Sequence, residues 1–337
     1  LKPEIKVVIS LAFSLLVFEV LSRSGESYLS ADVRQMLAQD EIPQKIREVK
    51  RDGRASILVI GNSLARAGII PDEIARSIRS PNGGTAEVFY ITPDASGINE
   101  WAAAYRRGFP DAPDTERPDL VLIVTGPGHL ADQLVTSPER LSAYHVAEHD
   151  RWEVGMNWLP GLGERCRFAL AGASRLFANR ERVRPLLFYR LVPGYEVTAQ
   201  RLNQSINSGK DLPVERDESA ERFGLLLDSL GIPPERVLIA AVPLPWQYEL
   251  PEAVLAEASA RNIFVYGEAA ASTWPSVAFP DGYHIAPEFG RVFSRQLGDL
   301  LRRRVRASGE ALGDPRSDPF SVAVDENEKR GGGDLPQ

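Results

Sequence analysis

A serine hydroxyl becomes a useful nucleophile when a histidine can take its proton and a carboxylate can hold that histidine in place. The chain has four histidines, His129, His145, His149 and His284, so candidate bases are few. His284 follows Asp281 by three residues in the stretch DGYH, a spacing that lets a carboxylate and an imidazole share one turn of loop. Asp281 can then fix the ring's tautomer while the other ring nitrogen faces a serine. The candidate serine is Ser63, in SILVIGNSLARAGI, where an apolar run stops at Gly-Asn-Ser and a helical pattern begins at once. Two roles are open to Ser63 at such a junction: helix N-cap or nucleophile.

Elements must carry these two motifs to one place. Four apolar runs, SILVIG, AEVFYI, DLVLIVTG and RVLIAAVP, recur with helical stretches between them, and a fifth, NIFVYGEA, follows. Continuous β-branched runs fit strands buried on both faces, as in a parallel sheet with helical crossovers. The pattern predicts a three-layer α/β/α sandwich with a mainly parallel five-stranded sheet over residues 55–306. The loops after its first and fifth strands share the carboxyl edge, where open α/β sheets bind ligands. The rhythm breaks at about residues 131–222, which predict a helical insertion or cap over that edge. Its Arg-rich part, ERCRFALAGASRLFANRERVRPLLFYR, can face lipid headgroups or an anionic glycan, or form a solvated helix face. Residues 25–54 read as a charged helical stalk, and residues 307–337, polar and rich in Gly and Pro, as a disordered tail.

The net charge of -7 offers no basic field for nucleic acid, which is discounted as a partner. The single cysteine, Cys166, excludes an internal disulfide and leaves the compartment open. His145 and His149 are spaced to share a helix face, but no third ligand is in view, so neither a metal nor a cofactor is expected. At the N-terminus, residues 1–24 hold an apolar run from Val7 to Phe18, interrupted only by Glu19 before Leu21. With Lys2 and Lys6 ahead of it and no small-residue cleavage site behind it, the run predicts an uncleaved membrane anchor with the remaining chain outside the cytoplasm. Around Ser63, Asn62 either orients the serine loop or favours the turn, and Arg66, one turn on, either holds an anionic group or is a surface residue. Trp246, in VPLPWQYEL after the fourth strand, can line a sugar or acyl pocket or pack in the core.

From about Ser56 to Arg304 the sequence resembles the SGNH (GDSL-like) hydrolases. The resemblance rests on Gly61-Asn62-Ser63 after the first strand and on Asp281-Gly-Tyr-His284 before the last helix. It implies a flavodoxin-like fold, with Ser63, His284 and Asp281 as catalytic residues and an oxyanion hole built from the N–H of Ser63, a glycine matched by Gly97, and an asparagine in a Gly-x-Asn block. That third block falls on Gly126-Pro127-Gly128, which has no asparagine. The Gly128 N–H or the His129 ring is left to replace it. Anchored relatives of this kind imply an esterase or O-acyltransferase for O-acetylated surface carbohydrate, in some cases beside a membrane-bound O-acyltransferase. The other reading is a non-catalytic glycan-binding scaffold of an envelope polysaccharide assembly.

Overall fold

The computed structural model describes residues 2–78, 85–110, 112, 113, 115–195, 197, 198, 218–267, 269, 270 and 274–312. Five strands, β1 (Ser56–Ile60), β2 (Glu87–Ile91), β3 (Leu120–Thr125), β4 (Val237–Ala241) and β5 (Phe264–Tyr266), form one sheet in the order β2-β1-β3-β4-β5. Every neighbouring pair is parallel. Each predicted run supplies one strand, because residues buried on both faces have to be apolar without alternation.

Alternate strand residues feed two cores, and these define the three layers. Leu58, Ile60, Val121 and Ile123 pack against α3 (Ile42–Arg51), α6 (Ile98–Gly108), α10 (Ala220–Leu230) and α11 (Glu252–Ala260). Ile57, Val59, Leu122 and Val124 pack on the other side, against α4 (Ser63–Gly68), α5 (Pro71–Ser77) and α12 (Pro287–Leu312). Both α5 and α12 begin at a proline, which is pre-set for the first helical position. Helix α12 continues to Leu312, so the polar segment predicted to be disordered from residue 307 starts as helix; beyond residue 312 it lies outside the described residues.

The predicted stalk is corrected by packing. Residues 31–51 form α2 (Ala31–Ala38) and α3, and Ile42, Ile46 and Val49 are buried in the main core. Lys50 also pairs with Asp119 at 3.0 Å, and Asp119 in turn accepts from the Ser56 hydroxyl at 2.7 Å at the start of β1. These helices are part of the sandwich.

Between β3 and β4 the insertion is helical, with α7 (Arg151–Asn157), α8 (Leu162–Ala173) and α9 (Arg175–Leu191). Its neck is closed by an antiparallel bridge between Ala131 and Glu218, with the Ser219 N–H donating to the Leu130 carbonyl at 2.9 Å. The predicted boundary at residue 222 is therefore slightly late, since α10 belongs to the sandwich. The insertion's body packs beside α2 and α6, in small clusters built on Val33, Met36, Tyr144 and Ala171 and on Ala103, Leu141, Val154 and Phe168. Among the described residues its two ends, near Val135 and at Glu218, reach the loops at the carboxyl edge. The described helices of the insertion flank the sandwich, and the part of the expected cap at residues 199–217 lies outside the described residues. The pairing of His145 with His149 fails as well: the helical turn Leu141–His145 ends in extended Val146, and His145 is fully buried.

Helix α1 (Pro3–Ser24) is long and apolar enough to cross a membrane, and its apolar length is exposed.

Candidate active site

At the end of β1 the chain turns sharply into α4. A Cβ on Gly61 would lie 2.5 Å from the Ala65 Cβ and 2.8 Å from the Val124 carbonyl oxygen, so only glycine fits the turn. Asn62 caps α4, its Oδ1 accepting the Leu64 N–H at 3.0 Å. The capping role open to Ser63 thus falls to its neighbour, and Ser63 takes the first helical position, where its own N–H is among the donors a helix leaves unpaired.

The Ser63 hydroxyl lies 3.0 Å from His284 Nε2, although 221 residues separate them in the chain. His284 Nδ1 lies 2.7 Å from Asp281 Oδ2. A carboxylate only accepts, so Nδ1 carries the ring proton and Nε2 presents its lone pair to Ser63. The other Asp281 oxygen accepts the N–H groups of Tyr283 and His284 at 2.9 and 2.7 Å. Partial burial opposes ionisation of Asp281, but these N–H groups and the imidazole outweigh it and hold the carboxyl below its usual range. Gly282 has φ of 77°, a left-handed conformation that lets the Asp281–His284 turn close this tightly.

One contact ties the serine segment to the helix after His284, and another steadies the histidine loop. Buried Ser294, on α12, accepts the Ile70 N–H at 2.8 Å and donates to the Gly68 carbonyl at 3.1 Å, which locks the end of α4 to α12. Trp246 stacks near Tyr283, with ring centroids 5.7 Å apart, and Tyr283 meets the His284 ring edge-on at 5.5 Å. Trp246 therefore buttresses the histidine loop.

Two of the expected oxyanion donors, the Gly97 and Gly128 N–H groups, are engaged elsewhere. The Gly97 N–H donates to Glu100 Oε2 at 2.9 Å, closing a capping box on α6. A Cβ at Gly97 would lie 2.9 Å from the His129 carbonyl oxygen, so the close approach that requires glycine is to the neighbouring loop. Glu100 is fully buried and also accepts the Val135 and Thr136 N–H groups; burial pushes its carboxyl up against these bonds. The Gly128 N–H donates to Glu218 Oε1 at 2.7 Å, and burial pushes the Glu218 carboxyl up to about 7. Arg66 is committed too: its guanidinium pairs with Asp94 and donates to the Thr92 carbonyl and to Gln35 on α2. The expectation that Arg66 holds a substrate anion gives way to a structural tie across three segments.

His129 lies beside the serine turn. Its Nδ1 accepts the Gly126 N–H at 2.9 Å. Its Nε2 is 3.0 Å from Asn62 Nδ2, which also reaches the Ser96 carbonyl at 3.3 Å. The His129 ring is thus hydrogen-bonded to the serine turn one residue away from Ser63. Among the described residues no group of three or more His, Cys, Asp or Glu side chains could hold a metal ion.

Sequence reasoning missed Glu100, Glu218 and Ser294. Glu100 carried a signal, since a Glu three residues after a helix N-cap is the capping-box pattern. Glu218 and Ser294 act across long stretches of chain and leave no local trace. No protein-family model matches this chain, and no curated protein does either.

Proposed function

We propose that the chain is a serine-dependent esterase or O-acyltransferase of the SGNH type, held at the membrane by α1 with its domain outside the cytoplasm. Its substrate class is an O-acylated, in particular O-acetylated, carbohydrate. The hydrogen-bonded series Asp281–His284–Ser63 is the observation that carries this reading.

The chemistry follows from the proton positions. Ser63 Oγ adds to the ester carbonyl carbon while its proton passes to His284 Nε2, and Asp281 stabilises the imidazolium. The tetrahedral oxyanion meets the Ser63 N–H, with the His129 ring in the place of the absent asparagine. His284 then protonates the leaving alcohol, and the acyl group stays on Ser63. Water, or a sugar hydroxyl, gives its proton to His284 and attacks the acyl carbon; the Ser63 oxygen departs and recovers the proton. Water makes the protein an esterase, and a hydroxyl makes it a transferase.

A second reading, a non-catalytic scaffold with a glycan groove, is favoured by one observation: carboxylates occupy both the Gly97 and the Gly128 N–H. Incubation with p-nitrophenyl acetate separates the two. The esterase reading expects nitrophenol release and an acetylated Ser63 by intact mass, both lost in Ser63→Ala. Equal turnover by both proteins overturns the nucleophile assignment, and an intact substrate with no acyl-serine favours the scaffold.

A further inference from the structure

We propose that α8 lies along the membrane surface with its outer face in the boundary between lipid headgroups and acyl chains; the proposal rests on the reading of α1 as a bilayer anchor. The anchor meets the domain at one end. Glu19 accepts the Ser174 hydroxyl at 2.7 Å and the N–H groups of Arg175 and Leu176 at 2.9 and 3.0 Å, the first turn of α9. Arg23 donates to the Ala173 carbonyl at 3.1 Å, the last residue of α8. Just beyond α1, buried Glu26 accepts from Tyr144 and Asn179 of the insertion at 2.6 and 3.0 Å. The corner between α8 and α9 is thus bolted to the end of α1.

Position along α1 sets the depth of that corner. Glu19 lies five residues before the end of α1 at Ser24, about 7 Å along a helix, so a spanning α1 puts the corner at the water interface. Helix α8, about 18 Å long over its 12 residues, ends at this corner. Its exposed residues Leu162, Cys166, Ala169, Leu170 and Ala173 recur at helical spacing and make one apolar face. Leu162 is 78% exposed and Leu170 53%, while Phe168 and Ala171 on the opposite face are buried in the insertion. Arg167 flanks the apolar face, its side chain half-exposed and 3.7 Å from Glu139, where a guanidinium can meet anionic headgroups, while Arg165 on the other flank turns back to donate to the Leu159 and Met156 carbonyls. The continuity of this apolar face with the membrane helix α1 is the reason to name lipid rather than a soluble partner.

Cys166 is the only cysteine of the chain and sits in the middle of this face, so it reports the environment without engineering. The full chain is labelled there with a polarity-sensitive fluorophore and reconstituted into liposomes of phosphatidylcholine and phosphatidylglycerol. Flotation with the liposomes tests α1, and the fluorophore tests α8. The expected result is flotation with a blue-shifted emission, severalfold weaker quenching by aqueous iodide, and quenching by lipids brominated in the upper acyl chain. The double variant Leu162→Glu/Leu170→Glu changes only exposed side chains; it is expected to float with the label returned to water. Failure to float defeats the anchor reading and this proposal with it. Flotation with an aqueous label, as a face reserved for a protein partner would give in pure lipid, overturns the proposal alone. A double variant that keeps the blue shift overturns it as well.

Discussion

Two carboxylates decide which donors remain around Ser63. Because Glu100 and Glu218 hold the Gly97 and Gly128 N–H groups, the proposed mechanism assigns the oxyanion to the Ser63 N–H and the His129 ring. His129→Ala is expected to lower kcat on p-nitrophenyl acetate about 100-fold, the usual loss for one oxyanion donor, with KM nearly unchanged. Unchanged kcat would remove His129 from the site. Glu218 makes a separate prediction on stability. With its folded carboxyl near 7, the native protein retains a proton that the unfolded chain has already released over the range between the ordinary carboxyl value and neutrality. Stability therefore falls as pH rises through that range, and the cost is complete above it. Glu218→Gln keeps an acceptor for Gly128 and is expected to stabilise the protein by on the order of 1–2 kcal/mol at about pH 8, with the gain vanishing toward about pH 4. Thermal melts of both proteins across pH check it, and a gain independent of pH would refute the assignment. At this scale Asp281 and His284 were legible because three residues of one loop hold them. The cap was not: Asn62 and Ser63 are both good caps by type, and only the backbone conformation assigns the role to Asn62.

Elements show the same division between local and distant causes. The β strands declared themselves, since each is a short unbroken apolar run. Helices α2 and α3 did not, because a charged helix with a narrow apolar stripe looks alike whether it projects into water or lies on a sheet. Ile46 is fully buried against that sheet, so Ile46→Ala is expected to cost about 3 kcal/mol, read as a lower urea midpoint. A projecting stalk would show no change. Helix α2 also reaches the candidate site, since Gln35 holds Arg66, one turn past Ser63.

For the whole molecule, α1, the insertion and the sandwich form a series: α1 grips the α8–α9 corner, the insertion packs on α2 and α6, and its neck touches the Gly128 loop. The proposed orientation predicts that a C-terminal alkaline phosphatase fusion is active in a bacterial host and a C-terminal green fluorescent protein fusion is dark; the reverse pattern would place the domain in the cytoplasm. The amino-acid sequence by itself determined the layered parallel architecture and the apolar N-terminal helix, because both are written in the order and periodicity of apolar residues. It also named Ser63, Asp281 and His284 as partners, since Ser63 follows the first strand and Asp281 and His284 share one loop before the last helix. Only the tertiary structure decided which N–H groups are already spent, that the stalk is part of the domain, and that the described helices of the insertion flank the sandwich. Those outcomes depend on contacts such as Gly128 with Glu218 and Gly68 with Ser294, between residues far apart in the chain, and no local pattern encodes them.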